Sequence, residues 1–286
     1  MLFLTKPRFF PLLACHLLVL GSIDLPGSDA PAIPITILRL PGGLRFGLIG
    51  DRPAQPAPTL FVLQGSLEVA RREPIYTEVA RRMAPHGFIS VLLDAPVHGE
   101  DQRPDEPAEL AGWRTRLERG ENFIEGFTAK ARAVLDYLVQ ERYADPARVA
   151  ACGTSRGGFL AFHLAAAEPR IRCIGGIAPV SDLIALREFH GTSHPRQAEA
   201  LALTTLAPRL AGRPAWVTIG NHDTRIDTER VIAFTRALVQ AGAAAGKDDA
   251  PVPVELIVNA TAGHRSTPRD HELLAAWLLE QFGTRP

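Results

Sequence analysis

Cysteine is scarce, with only Cys15, Cys152 and Cys173 in 286 residues. Three cysteines without paired spacing exclude a disulfide framework and a cysteine-rich zinc site. Lysine is just as rare: Lys6, Lys130 and Lys247 are the only ones among 31 basic residues. Those 31 are matched by 31 acidic residues, so the formal net charge is zero, and like charges never gather in a block. A general nucleic-acid binder needs a basic surface to neutralise phosphates, and that class is excluded. No apolar run is long and uninterrupted enough for a membrane-spanning helix. Internal repeats and low-complexity segments are missing too, and the composition is neither collagen-like nor that of a disordered chain.

What remains is an ordinary globular composition, 46% hydrophobic and 22% charged, on a chain long enough to bury a sizeable core. The first residues stand apart. Lys6 and Arg8 precede the run Phe9 to Leu20, broken only by Pro11 and His16, and Val19-Leu20-Gly21 offers small residues for cleavage. This pattern is that of a secretory signal; a disordered extension is the other reading of the same residues. Leu12-Leu13-Ala14-Cys15 mimics a lipoprotein box, but the apolar run continues past the cysteine. Residues 1–30 are therefore expected to be a signal peptide and linker, residues 31–286 the working domain, and the location periplasmic or secreted rather than cytoplasmic.

From about residue 34, short apolar runs alternate with helical stretches, which predicts an α/β fold with a mostly parallel sheet. Ile35–Leu40 and Leu44–Ile49 read as an opening hairpin about Pro41-Gly42-Gly43, followed by a rigid connector containing Pro53, Pro56 and Pro58. Further strands are predicted at Leu60–Leu63, Phe88–Leu93, Val149–Cys152, Cys173–Val180, Ala215–Ile219 and Val254–Val258. That makes eight strands in one domain, with helices on both faces and no large cap domain. Helices are predicted from Pro74, Phe123, Phe159, near Thr228, and from Thr267-Pro268-Arg269-Asp270, a capping arrangement with proline in the first turn. Residues 96–121 are charged and carry Pro104, Pro107 and Gly112. They are expected to form a long loop or a small excursion, of a length that usually serves a site.

The sharpest local signal is Gly153-Thr154-Ser155-Arg156-Gly157-Gly158. A bare G-x-S-x-G is weak, but this one follows an apolar strand and precedes an apolar helix. A nucleophile on a strand-to-helix turn needs small residues on both sides, and the turn pushes its hydroxyl out at the carboxyl edge of the sheet. The helix start beneath it offers unpaired N–H groups and positive potential to a developing oxyanion. Asp223 follows the strand at 215–219 and His264 the strand at 254–258, so both fall on loops at that same edge. The order Ser, Asp, His is that of α/β-hydrolases.

Gly153 to Gly158, the stretch Gly220-Asn221-His222-Asp223-Thr224-Arg225-Ile226 and Thr261-Ala262-Gly263-His264 together resemble the dienelactone-hydrolase and prolyl-oligopeptidase-like branch of the α/β-hydrolase superfamily. The likeness covers roughly residues 34 to 286, and no propeller is expected ahead of it. It implies a serine hydrolase cleaving small carboxylic esters through an acyl-enzyme, without metal or organic cofactor. Ser155 would be the nucleophile, His264 the base and Asp223 the residue that orients it. The oxyanion hole would use the backbone N–H of Arg156 and one from Ser66 or Leu67. Many relatives carry His-Gly in that loop where this chain has Gln64-Gly65-Ser66. A prolyl-oligopeptidase-like peptidase is the alternative activity.

Some of these residues admit other roles. Asp182 is an alternative acid, because some α/β-hydrolases place theirs after the sixth strand; otherwise it caps the turn after Val180. Asp227 is expected to cap the helix near Thr228. His98 is expected to serve structural hydrogen bonding near the site, and His190 and His194 to lie on a surface loop or, in the other reading, to line the acyl or alcohol pocket. Trp113 would form either a substrate wall or a shielding contact within its own loop. Gly220-Asn221-His222-Asp223 also echoes a metallophosphoesterase signature, but Ala54 and Ser266 stand where that fold needs metal ligands. A non-catalytic binding module is the third class. Oligomeric state leaves no sequence trace.

Overall fold

The computed structural model of the protein describes residues 33–246 and 251–283. The expected signal segment, Cys15 with it, lies outside the described residues. Hydrophobic patterning decides most of the architecture. The opening hairpin forms from β1 (Thr36–Arg39) and β2 (Arg45–Ile49), paired antiparallel from Thr36↔Leu48 to Arg39↔Arg45. Gly43, at φ +85°, makes the turn between them. β3 (Ala57–Leu63), β4 (Ile89–Leu92), β5 (Ala144–Thr154), β6 (Ile171–Ile177), β7 (Ala215–His222) and β8 (Val254–Ala262) complete an eight-stranded sheet. Its order is β1-β2-β4-β3-β5-β6-β7-β8. β2 meets β4 antiparallel, and every later pairing is parallel.

β3 begins earlier than the proline connector suggests, because Pro58 lies inside it. The register shifts between Ala57 and Thr59, and a proline without an N–H is tolerated at such an irregularity. The central strands are buried on both faces, as near-continuous apolar runs require. Their side chains alternate between two cores. Phe61, Leu63, Val149 and Ala151 face one, while Leu60, Val62, Ala150 and Cys152 face the other.

The second of these cores is covered by α1 (Leu67–Arg72), α2 (Glu78–Met83) and α9 (Pro268–Gln281); the first by α3 (Glu109–Glu118), α4 (Phe123–Gln140), α5 (Arg156–Ala167), α6 (Pro195–Ala200), α7 (Ala207–Leu210) and α8 (Thr228–Ala245). The caps are where the sequence puts them. Asp227 accepts from the Glu229 N–H at the start of α8, and Thr267 and Asp270 form a reciprocal capping box on α9. Gly87, at φ +79°, stops the turn after α2.

The expected loop at 96–121 contains a helix instead. α3 is stitched down by Arg116, whose guanidinium is held by Glu106 and Asp101. Trp113, fully buried, anchors it in the core against Phe123 at 5.1 Å and Phe159 at 5.6 Å, and its indole N–H donates to the Pro96 carbonyl at 2.6 Å. Trp113 is thus neither a substrate wall nor only a contact within its own segment. Charge and proline content concealed a helix whose stability is tertiary. No large cap domain is present among the described residues, and none of their helices is long and apolar enough to cross a membrane.

Candidate active site

Where β5 runs into α5, the chain must reverse in one residue. Ser155 makes that turn at φ +55°, ψ −117°, a strained region for a side-chain-bearing residue. The surroundings hold it there: its N–H donates to the Ile177 carbonyl at 2.9 Å, and its own carbonyl accepts from Val180 at 3.0 Å. Gly157 is obligatory, since a Cβ on it would lie 1.9 Å from the Leu63 carbonyl oxygen. The strand-to-helix turn thus aims the serine hydroxyl away from the sheet.

Two loops from the same edge meet it. The His264 ring is within 2.8 Å of Ser155 Oγ through Nε2 and within 2.7 Å of Asp223 Oδ2 through Nδ1. A carboxylate only accepts, so Nδ1 carries the ring proton and Nε2 is left to accept from the serine hydroxyl. Asp223 Oδ1 accepts from the Arg225 and Ile226 N–H groups at 2.9 and 3.2 Å. Burial by itself pushes the Asp223 carboxyl up; the hydrogen bond and charge of His264 and the two backbone N–H groups outweigh it, leaving it below the ordinary carboxylate value. Asp182 is elsewhere. It accepts from the Ile184 N–H at 2.9 Å and pairs with Arg230, so it caps its turn and makes no bond to His264.

The loop carrying His264 is fixed by a carboxylate outside this chain of three. Asp270, buried in the first turn of α9, accepts through Oδ1 from Asn259 at 2.6 Å and Thr218 at 3.1 Å. Through Oδ2 it accepts from the N–H and hydroxyl of Thr267 at 2.7 and 2.8 Å. Asn259 precedes the loop, Thr267 follows it, and Thr218 lies on β7, the strand leading to Asp223. One side chain therefore ties both ends of the histidine loop to the aspartate's strand. The capping pattern in the sequence reveals half of this. The partners on β7 and β8 are distant in sequence and leave no signal.

Ser155, His264 and Arg156 open onto a cavity of about 320 Å³, whose wall also includes Gln64, Gly65 and Tyr76. Of the two residues expected to give the second oxyanion donor, Leu67 is corrected by the structure, because its N–H is already spent on Asp94 Oδ1 at 2.9 Å. Ser66 caps α1 through its hydroxyl, and its own N–H bonds to no described protein atom. His98 also reaches the cavity. Its Nδ1–H donates to the Pro96 carbonyl at 2.7 Å, and its Nε2 accepts from Arg156 Nη1 at 2.5 Å. Burial holds the His98 ring below the ordinary histidine value. His190 instead borders a separate open groove beside Asn221 and His222, and His194 bonds Ser193 on the surface. No group of three or more His, Cys, Asp or Glu side chains among the described residues is placed to hold a metal ion.

Known proteins share this architecture. TT1662 from Thermus thermophilus superposes with a TM-score of 0.65 at 22% identity, covering 87% of this chain and 98% of that one. Dipeptidyl peptidase 4 of Porphyromonas gingivalis gives 0.62 at 19% identity over 87% of this chain, but only 35% of its own. A puromycin hydrolase gives 0.64 at 20% identity over 89% of this chain and 40% of its own. Identities this low show the fold. Among curated proteins, the uncharacterized protein YcjY of Escherichia coli K12 is 29% identical over 102 residues, 36% of this chain and 29% of that one. A family model spanning residues 129–285 takes in Ser155, Asp223 and His264 together, and the chain belongs to the prolyl oligopeptidase family, on the α/β-hydrolase fold.

Proposed function

We propose that the protein is a serine hydrolase that cleaves small carboxylic esters through an acyl-enzyme, with Ser155 as nucleophile, His264 as general base and acid, and Asp223 as the residue that orients the imidazole. The observation that carries this reading is the continuous hydrogen-bonded path from Ser155 Oγ through His264 to Asp223 at the wall of a cavity. Ser155 Oγ attacks the acyl carbon as His264 Nε2 takes the hydroxyl proton, which then passes to the leaving alkoxide as the ester bond breaks. Water repeats the sequence on the acyl-enzyme, giving up its proton to Nε2 and releasing the acid. The developing oxyanion would be met by the Arg156 N–H at the start of α5 and by the Ser66 N–H, which follows Gly65 in the cavity wall.

A cavity of about 320 Å³ is at the small end of the range for ligand sites, which favours short acyl groups. Peptide or amide hydrolysis is the second reading, supported by the family match and by neighbours named as peptidases. A chain-length series of nitrophenyl esters, run beside short peptide anilides on wild type and Ser155→Ala, separates the two. Turnover of anilides at rates comparable to esters would favour the peptidase. Undiminished turnover by Ser155→Ala, or loss of turnover in EDTA, would sink the serine mechanism.

A further inference from the structure

Arg156 follows the nucleophile directly, and its side chain is as informative as its backbone. One guanidinium nitrogen, Nη1, does all of its bonding: it donates to His98 Nε2 at 2.5 Å and lies 3.2 Å from Glu109 Oε2. Nε and Nη2 bond to no described protein atom. In three other arginines of this chain that same edge is spent on a single carboxylate. Arg81 donates through Nε and Nη2 to the two oxygens of Glu78 at 2.8 and 2.6 Å, Arg116 to those of Glu106 at 2.9 and 2.6 Å, and Arg170 to those of Glu168 at 2.8 and 2.7 Å. The side-on fork matches a planar carboxylate and forms two parallel charge-assisted bonds.

The position makes the open fork informative. Arg156 lines the same cavity as Ser155 and His264, and its side chain is 26% exposed. Glu73 and Arg265 also line the cavity but are exposed at its rim, where charge is screened by water; Glu109 is exposed as well but pairs with Arg156. Arg156 is the charged group that a bound substrate meets with most of its water already removed. Its orientation is fixed from behind. The His98 ring is locked by the Pro96 carbonyl, which also accepts the Trp113 indole N–H. The backbone there is held at φ +63° at Val97, a β-branched residue for which that conformation is costly.

We propose that Arg156 is the specificity-determining residue of this cavity and that its Nε–Nη2 edge receives a carboxylate carried by the substrate. The preferred substrates are then acid-bearing esters, such as monoesters of short dicarboxylic acids. This rests on the serine-hydrolase reading for its chemistry but not for its binding. Glu109, on the neighbouring nitrogen, balances the arginine when no substrate is present and competes for it when one arrives.

The test uses two esters that differ in one charge, 4-nitrophenyl hydrogen glutarate and its methyl ester. Wild type is expected to favour the acid in kcat/KM by roughly tenfold, as a charged hydrogen-bonded pair implies. In Arg156→Gln that ratio should collapse to near one, Arg156→Lys should keep part of it, and Glu109→Gln should raise it severalfold. The ratio is read within each variant, so a general loss of rate does not obscure it. A wild-type ratio of one or below, or a ratio unmoved in Arg156→Gln, overturns the proposal while leaving the hydrolase reading intact. If neither ester is cleaved, the hydrolase reading fails, and binding decides alone. Monomethyl glutarate, titrated calorimetrically into Ser155→Ala and Ser155→Ala/Arg156→Gln, should lose about tenfold in affinity in the second. Equal affinities, or no binding to either at millimolar ligand, would reject the carboxylate site.

Discussion

The most discriminating single substitution is Asp223→Asn. The Asp223 carboxylate accepts three bonds, two at Oδ1 from the Arg225 and Ile226 N–H groups and one at Oδ2 from His264 Nδ1. Asparagine keeps Oδ1 on the two backbone donors, so its NH₂ replaces Oδ2 in front of the imidazole. An NH₂ group donates, and Nδ1 must then become the acceptor. The ring proton moves to Nε2, which faces Ser155 Oγ at 2.8 Å. In that tautomer the imidazole offers the serine a donor and cannot take its proton. The geometry is unchanged and the base is lost. Triads of this kind lose on the order of 10⁴ in kcat under the same substitution, roughly 5 kcal/mol of transition-state stabilisation. The assay is release of nitrophenol from a short-chain ester under saturation, with circular dichroism to show that the fold is kept. Asp182→Asn is the control. Its carboxylate caps Ile184 and pairs with Arg230, so kcat should stay within about twofold and thermal stability should fall by about 1 kcal/mol. Asp223→Asn retaining more than a tenth of wild-type kcat, or Asp182→Asn losing a thousandfold, would refute the assignment of the acid.

Gly157→Ala should fail to give soluble protein or should destabilise by more than about 3 kcal/mol in urea titration, because the added methyl meets the Leu63 backbone rather than a movable side chain. Burial pushes the Cys173 thiol up to about 12 and Cys152 higher still, so neither should react with a thiol reagent in the native state at pH 8, and both should react once unfolded. His163 and His271 are pushed by burial to about 4 from an ordinary value of 6.5. Between those values the unfolded chain binds more protons than the native one, so stability should fall as pH drops from about 6.5 toward 4 and level off above. The urea midpoint at pH 4.5 against 7.5 checks this, and His163→Asn with His271→Asn should flatten the difference.

Much of this protein is legible in one dimension. The short apolar runs of the strands, the glycines around Ser155, the capping pattern at Thr267 and the order Ser155, Asp223, His264 are local or ordinal features, and each places a residue on an element. The failures share a cause. Residues 96–121 look like a loop because Arg116, Asp101 and Glu106 read as solvent-seeking charges until they are seen to satisfy one another. Leu67 looks like an oxyanion donor until Asp94, in the loop after β4, is found accepting its N–H. Pro58 looks like a connector because a register shift between two strands has no sequence mark.

The division reflects what each level encodes. The succession of short apolar runs and helical stretches points to the architecture, because strands buried on both faces need helices on both sides of the sheet, and the order of the motifs puts Ser155, Asp223 and His264 at one edge of it. Only the folded structure decided what each polar group was free to do. Asp182 is spent on a turn, Leu67 on a carboxylate, Asp270 on the loop that carries His264, and the Nε–Nη2 edge of Arg156 on no described residue. A hydrogen-bonding group's chemistry depends on whether its partners are already taken, and those partners are brought together only in three dimensions.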